Sequence, residues 1–154
     1  ARSLAVEPEF VILDEPTSSL DVSTQAQILN LLIDIKCKKQ MTYLFISHNL
    51  AVVRYIADRV CVLYDGVLCE LGFADDIYER PYHPYTEYLL RCIPKINFHR
   101  QETAEEEIKA AEKSDRGCPF CNKCNRRLSL CSTKKPEKKQ IGTTEVYCFN
   151  PITY

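Results

Sequence analysis

The sequence predicts an α/β fold followed by a small, irregular, cysteine-rich extension. The apolar run Phe10-Val-Ile-Leu-Asp14-Glu15 ends in two adjacent carboxylates, and the run Tyr43-Leu-Phe-Ile-Ser-His48 ends in a hydroxyl and an imidazole. Short apolar runs of this kind are typical of buried strands, and open parallel sheets bind their ligands where the strands end. We therefore expect an acid pair and a titratable ring at one edge of a sheet.

The other elements follow from apolar spacing and turn signals. Val22, Ala26, Leu29 and Ile33 lie on one helical stripe, and Asp21 stands where an N-cap is expected. The pair Asp65-Gly66 between two apolar runs is a strong signal for a two-residue hairpin. The predicted order is a strand ending at Asp14, a helix after Asp21, the strand Thr42–Ile46, a helix over Leu50–Ala57, the strands Arg59–Tyr64 and Val67–Leu71, and helices over Ala74–Glu79 and Tyr85–Cys92.

The residues around the first two strand ends resemble the nucleotide-binding subunits of ABC transporters, which are P-loop NTPases. Leu13-Asp-Glu-Pro-Thr-Ser-Ser-Leu-Asp21 is similar to the family's Walker B motif and D-loop, and His48 matches its switch histidine. The resemblance implies that Asp14 holds Mg²⁺ through water, that Glu15 polarises the water attacking the γ-phosphate of ATP, and that His48 contacts that phosphate. Phosphoryl transfer depends mainly on positioning and charge neutralisation, so these few groups matter.

The same resemblance places two further residues near the nucleotide. Ser19 and Asp21 belong to the string that matches the D-loop, and Asp21 is expected to act across a dimer interface.

A phosphate loop is missing from the sequence. Such a loop needs Gly-x-x-x-x-Gly-Lys-Ser/Thr, because its backbone N–H groups and its lysine surround the phosphates. The chain has four glycines, none followed by Lys-Ser or Lys-Thr, and it has no Gly-rich signature loop. We therefore expect the chain to be the C-terminal portion of a longer subunit and to be inactive alone.

A downstream segment narrows the resemblance to the oligopeptide and dipeptide importer branch. Asp76–Leu90 is similar to that branch, and His83-Pro-Tyr-Thr86 is its most specific mark. The resemblance implies a subunit that energises uptake of oligopeptides, dipeptides or a related solute and lies peripherally on the cytoplasmic face of the membrane. The implied partners are a second ATP-binding subunit, identical or different, two membrane permease subunits and an extracytoplasmic solute-binding protein.

Five of the nine cysteines are clustered near the end of the chain. Gaps of two and six residues indicate a thiolate metal site, and soft sulfur ligands favour zinc or an iron–sulfur cluster. The spacing leaves these two open, with disulfides as a third alternative. The importer branch has a similar extension, which implies a 4Fe-4S cluster. The implied ligands are Cys118, Cys124, Cys131 and Cys148, with Cys121, where the branch usually has His, as a possible substitute.

We expect three segments: 1–96 as the C-terminal portion of the nucleotide-binding domain, 97–116 as a charged helical linker, and 117–154 as the metal-binding extension. The other four cysteines are expected to be small core residues. Basic residues in the tail lack interleaved aromatic residues, so nucleic-acid binding is not expected. The rival function is a stand-alone metal-binding or redox-sensing module that retains part of an ATPase scaffold. The four predicted core cysteines are Cys37, Cys61, Cys69 and Cys92.

Overall fold

The computed structural model describes residues 7–93 and 117–154. The chain divides into two compact units, the first running to Ala57 and the second beginning at Asp58. The predicted linker over 97–116 falls outside the described residues. In the part of the chain that the structure covers, no helix has the length and apolar character needed to cross a membrane.

The first unit contains two parallel strands and two helices. Its elements are β1 (Phe10–Asp14), α1 (Val22–Lys39), β2 (Thr42–Ile46) and α2 (Leu50–Ile56). The two strands pair in register from Phe10↔Thr42 to Asp14↔Ile46. Because the register has no offset, both strands end at the same edge, as the sequence predicts.

Helix α1 begins where the sequence predicts, at an N-cap formed by Asp21. One carboxylate oxygen accepts the backbone N–H groups of Ser23 and Thr24 at 3.1 and 2.9 Å, which satisfies two donors that the first helical turn leaves free. The hydrogen bond from the Thr24 backbone, helped by two hydroxyl donors, holds the pKa of Asp21 well below its usual range. The helix ends at Gln40, whose φ of 50° is left-handed.

The apolar residues of the first unit are buried unevenly. Strand β1 buries Val11 but leaves Phe10 and Ile12 53% and 60% exposed, so one face of the strand packs and the other does not. In β2, Leu44 and Ile46 are 46% and 45% exposed. The unit therefore has an apolar sheet face that its own residues leave accessible. The buried set also contains Leu29, Leu32, Met41 and Val52.

The second unit starts with the predicted hairpin. Strands β3 (Arg59–Tyr64) and β4 (Val67–Phe73) are antiparallel. The two turn residues, Asp65 and Gly66, have φ angles of 49° and 76°. Positive φ at both positions is the signature of a turn whose twist matches that of the flanking strands, which explains why Asp-Gly is favoured there.

The rest of the second unit joins the cysteine segment to this hairpin. Helices α3 (Ala74–Glu79) and α4 (Pro84–Arg91) follow β4, and the strands β5 (Lys139–Ile141) and β6 (Thr144–Val146) lie near the end of the chain. The sheet order is β3-β4-β6-β5, with β6 antiparallel to β4. Residues 117–154 thus share a sheet and a compact unit with residues 58–93, although the sequence indicates a separate extension beginning at 117.

The expectation for the scattered cysteines is wrong for three of the four. Cys69 is buried on β4, whereas Cys37, Cys61 and Cys92 are exposed. Cys61 lies between two valines, but Cys37 lies between two lysines and Cys92 follows Arg91, so the surrounding segments are less apolar than the prediction assumes. An apolar stretch of sequence does not by itself show which face of a helix or strand a given residue occupies.

Candidate functional site

The two predicted strand ends lie side by side. Asp14 is the last residue of β1 and pairs with Ile46, the last residue of β2. The backbone N–H of Glu15 donates to the carbonyl of Ile46 at 2.9 Å. This bond continues the ladder by one residue, so Glu15 and the Ser47-His48 pair leave the sheet together.

Glu15 contacts His48 directly. Its Oε1 atom lies 2.6 Å from Nδ1 of His48 and also accepts the His48 backbone N–H at 3.2 Å. Glu15 has a φ of 46°, a region that costs a residue with a side chain on the order of 1–3 kcal/mol and that occurs often at functional sites. The His48 side chain is 79% exposed, so the pair is open to a ligand.

The turn that follows Glu15 is tied down by residues outside the predicted set. The hydroxyl of Ser18 donates to the carbonyl of Glu15 at 3.0 Å. Thr17 is buried, and its hydroxyl accepts the side-chain amide of Gln25 on α1 at 3.0 Å. Ser19 is exposed on this turn. Sequence reasoning missed Thr17, because its role depends on a partner one helical turn into α1.

The five clustered cysteines line one cavity. Cys118, Cys121, Cys124, Cys131 and Cys148 share its wall with other residues of the second unit. Gly117 precedes the first of them, and a Cβ atom at that position would lie 2.3 Å from the carbonyl oxygen of Cys131, so only glycine fits there. The other lining residues are His83, Pro84, Phe120, Arg126, Pro136, Phe149 and Asn150.

Burial and mutual proximity set the acidity of these thiols. Burial raises the pKa of Cys118 and Cys124, and it raises the pKa of Cys148 to about 11. The charges of neighbouring cysteines raise the pKa of each of these three thiols further. Without a cation, the thiols of Cys118, Cys124 and Cys148 stay protonated at neutral pH, and a metal would have to displace their protons.

The cysteine cavity does not present a preformed metal-ion site among the described residues. Within residues 7–93 and 117–154, no three His, Cys, Asp or Glu side chains converge as a set that could hold a metal ion. A tetrahedral zinc site requires each sulfur about 2.3 Å from one centre. The five cysteines line one cavity and form an all-sulfur set of side chains.

Aromatic packing connects the cysteine segment to the hairpin and α4. The ring centroid of Phe120 lies 5.3 Å from that of Tyr64 and 5.2 Å from that of Tyr85. Phe120 and Val146 are almost completely buried, so residues 117–154 contribute to a real apolar core. The sequence does not show this core, because the segment has few apolar residues of its own.

Glu70 and His83 form a buried polar connection beside the cavity. Both oxygens of the Glu70 carboxylate are used, accepting the backbone N–H groups of Tyr82 and His83 at 2.7 and 3.0 Å. Burial raises the pKa of Glu70. Nδ1 of His83 accepts the backbone N–H of Tyr85 at 3.0 Å, which caps α4, and burial lowers the pKa of His83 to about 4. His83 is therefore the N-cap of α4.

Glu70→Leu is expected to destabilise the second unit. Leucine keeps much of the volume but removes both acceptors, and a buried donor left unsatisfied costs about 1–3 kcal/mol. The free energy of unfolding from a urea titration followed by tyrosine fluorescence measures the effect. Glu145→Leu on β6 is the control, because Glu145 is a partly exposed carboxylate in an ion pair with Lys138 at 3.5 Å. Equal stability of the two variants would show that the Glu70 hydrogen bonds only balance the cost of burying the carboxylate.

Comparisons with known proteins match most of the chain. Residues 69–131 match the family described as "Oligopeptide/dipeptide transporter, C-terminal region". The dipeptide transport ATP-binding protein of Escherichia coli K12 is 42% identical over 152 residues, covering 97% of this chain and 46% of the relative. A provisionally assigned peptide import ATP-binding protein of Brucella ovis is 42% identical over 144 residues, covering 92% of this chain and 45% of the relative. The chain thus spans about half the length of the curated relatives it matches.

A solved structure supports the same relationship. A provisionally assigned ABC transporter of the metal-chelate type, in an inward-facing conformation, matches with a TM-score of 0.50 and 31% identity. The match covers 60% of this chain and 35% of the other. The α/β arrangement predicted from the sequence is therefore found in an ABC transporter chain.

Proposed function

We propose that the chain is the C-terminal part of an ATP-binding subunit of the oligopeptide and dipeptide branch of ABC importers, and that this subunit hydrolyses ATP to energise peptide uptake. The observation that carries the proposal is the 2.6 Å contact between Glu15 and His48 at the shared end of two parallel strands. That edge is where open α/β sheets bind ligands.

The residues at this edge have separate roles in the proposed reaction. Asp14, exposed at the end of β1, would hold Mg²⁺ through water, and the ion would neutralise phosphate charge. Glu15 would orient the attacking water and accept its proton. His48, held by Glu15 through Nδ1, would present its other ring nitrogen to the γ-phosphate. The exposure of the His48 ring supports this role, because a ligand can reach it.

Two loops that an ATP site needs are not in this sequence. The phosphate loop and signature loop would come from the rest of the subunit and from a second ATP-binding subunit. Ser19 and Asp21 would lie at the interface between those subunits, with Asp21 also capping α1. Two membrane permease subunits and an extracytoplasmic solute-binding protein complete the proposed importer, which places this subunit peripherally at the cytoplasmic face of the membrane.

His48→Ala tests this function in the assembled transporter. We expect kcat for ATP hydrolysis to fall roughly 10²–10³-fold, the usual cost of removing one group that stabilises transition-state charge. Uptake of a labelled dipeptide should fall with it. Asn49→Asp is the control, because Asn49 caps α2 and Asp caps equally well. Normal hydrolysis by His48→Ala would remove His48 from the site.

We also propose that the cysteine cavity holds a 4Fe-4S cluster, with zinc as the alternative. Cys118, Cys124, Cys131 and Cys148 are the proposed ligands, and their shared cavity supports this. Cys121 lines the same cavity and is 1% exposed. It is therefore the proposed substitute if one of the four ligands is not used. Iron with acid-labile sulfide in the anaerobically isolated protein would support the cluster, and zinc alone would overturn it.

A further inference from the structure

His83 brings a nitrogen donor to the cysteine cavity. The ring is 2% exposed and lines the same cavity as all five clustered cysteines. Its centroid lies 6.2 Å from that of Phe120, which also forms part of the wall. The imidazole ring therefore supplies a buried polar group to the wall that the five cysteines share.

The hydrogen bond at Nδ1 fixes the tautomer of the ring. Nδ1 accepts the backbone N–H of Tyr85 at 3.0 Å, so Nδ1 carries no proton. The proton of the neutral imidazole must then reside on Nε2, which makes Nε2 a donor. His83 therefore has an acceptor engaged with α4 and a donor on its remaining nitrogen.

The backbone of His83 is held independently of its ring. Glu70 accepts the N–H groups of both Tyr82 and His83, which anchors this turn to strand β4. Strand β4 also pairs with β6, two residues before Cys148. The ring and the cysteine wall are therefore positioned by the same sheet, so their relative placement is built into the fold of the second unit.

We propose that His83 is a positioning residue for the thiolate-bound centre, donating a hydrogen bond from Nε2–H to one of its sulfur atoms. This inference rests on the proposed metal-binding role of the cavity. Hydrogen bonds to ligand sulfur stabilise the negatively charged, metal-bound form and orient the ligand, and losing such a partner typically costs 10–100-fold in metal affinity. Arg126 contributes positive charge on the same wall, its guanidinium held by the carbonyls of Asn150 and Pro151.

Two substitutions test the contributions of the two ring nitrogens of His83 separately. The amide of Asn overlaps the Nδ1 position, so His83→Asn keeps an acceptor that can cap α4 but loses the donor to the cavity. The amide of Gln reaches the Nε2 position, so His83→Gln keeps a donor but loses the cap. A purely structural role predicts that Asn is tolerated and Gln is harmful, whereas the proposed role predicts the opposite order for the metal centre.

The experiment uses full-length protein isolated anaerobically and measures how fast its iron or zinc passes to an excess of chelator. We expect His83→Asn to retain the metal roughly 10–100-fold less well than the unchanged protein, and His83→Gln to stay within about threefold of it. Thermal unfolding of both variants shows that each is folded. Metal retention by His83→Asn equal to that of the unchanged protein would overturn the proposal.

A second measurement does not depend on the variants. The ¹⁵N chemical shifts of the His83 ring in the metal-loaded protein should show a proton on Nε2 and none on Nδ1, and the opposite tautomer would overturn the inference. If the unchanged protein contains neither iron nor zinc, the metal-binding role and this inference fail together. If it contains metal and only the His83 results disagree, the inference alone fails.

Discussion

Glu15→Gln should lower ATP turnover of the proposed full-length subunit roughly 10²–10⁴-fold, the usual contribution of a positioned general base. Glutamine has nearly the same shape, so the left-handed backbone at φ 46° and the approach to His48 can persist. The amide cannot take a proton from water, however. ATP binding, measured with a fluorescent ATP analogue, should therefore remain while steady-state phosphate release is lost.

A matched control distinguishes this result from a general effect of charge. Glu9→Gln makes the same chemical change one residue before β1 begins, at an exposed position on the opposite end of the strand from Glu15. Its turnover should equal that of the unchanged subunit. Equal turnover by Glu15→Gln would reject Glu15 as the base, and loss of nucleotide binding would reassign it to a binding role.

Cys131→Ser should release the proposed metal centre and detach residues 117–154 from the sheet. Structural metal ions contribute on the order of 10 kcal/mol to the folding of small metal domains, because unfolded chains hold no preformed site. Cys131 is buried, its sulfur accepts the Leu128 N–H at 3.4 Å, and its carbonyl accepts the Cys118 N–H at 2.8 Å. A weaker oxygen ligand at this position disturbs both sides of the cavity.

Hydrogen exchange measures the effect where the two parts of the sheet meet. The amide of Tyr147 donates to the carbonyl of Cys69 at 2.9 Å, and this amide should lose its protection in Cys131→Ser and in the chelated protein. Cys92→Ser, at an exposed cysteine outside the cavity, should leave exchange unchanged. Full protection after chelation would mean that Phe120, Val146 and the β4–β6 pairing hold the segment without metal.

Local signals were sufficient for most elements of the fold. Asp65-Gly66 predicted the hairpin because two adjacent positive φ angles select those residue types. The two strand ends were predicted to meet because parallel strands share an edge, and the contact between Glu15 and His48 confirms that they do. In both cases, the information lies in a few neighbouring residues.

Long-range pairing was not predictable in the same way. Strand β6 has three residues, which are too few to show an alternation of apolar and polar side chains. Its partner β4 lies more than 70 positions earlier in the chain. The aromatic contacts of Phe120 with Tyr64 and Tyr85 depend on that pairing. The polar link from Glu70 to His83 was also hidden, because a carboxylate that accepts backbone N–H groups leaves no sequence pattern.

The accessible side chains on the outer face of β1 and β2 have a practical consequence for anyone who expresses this 154-residue polypeptide by itself. The sheet has two strands, and an isolated pair of strands is marginally stable in water. One face of it carries an exposed apolar patch formed by Phe10, Ile12, Leu44 and Ile46. Exposed apolar patches of this kind promote self-association and bind chaperones and hydrophobic dyes. Low solubility of such a preparation would therefore reflect the exposed apolar face of the sheet rather than a defective cysteine segment.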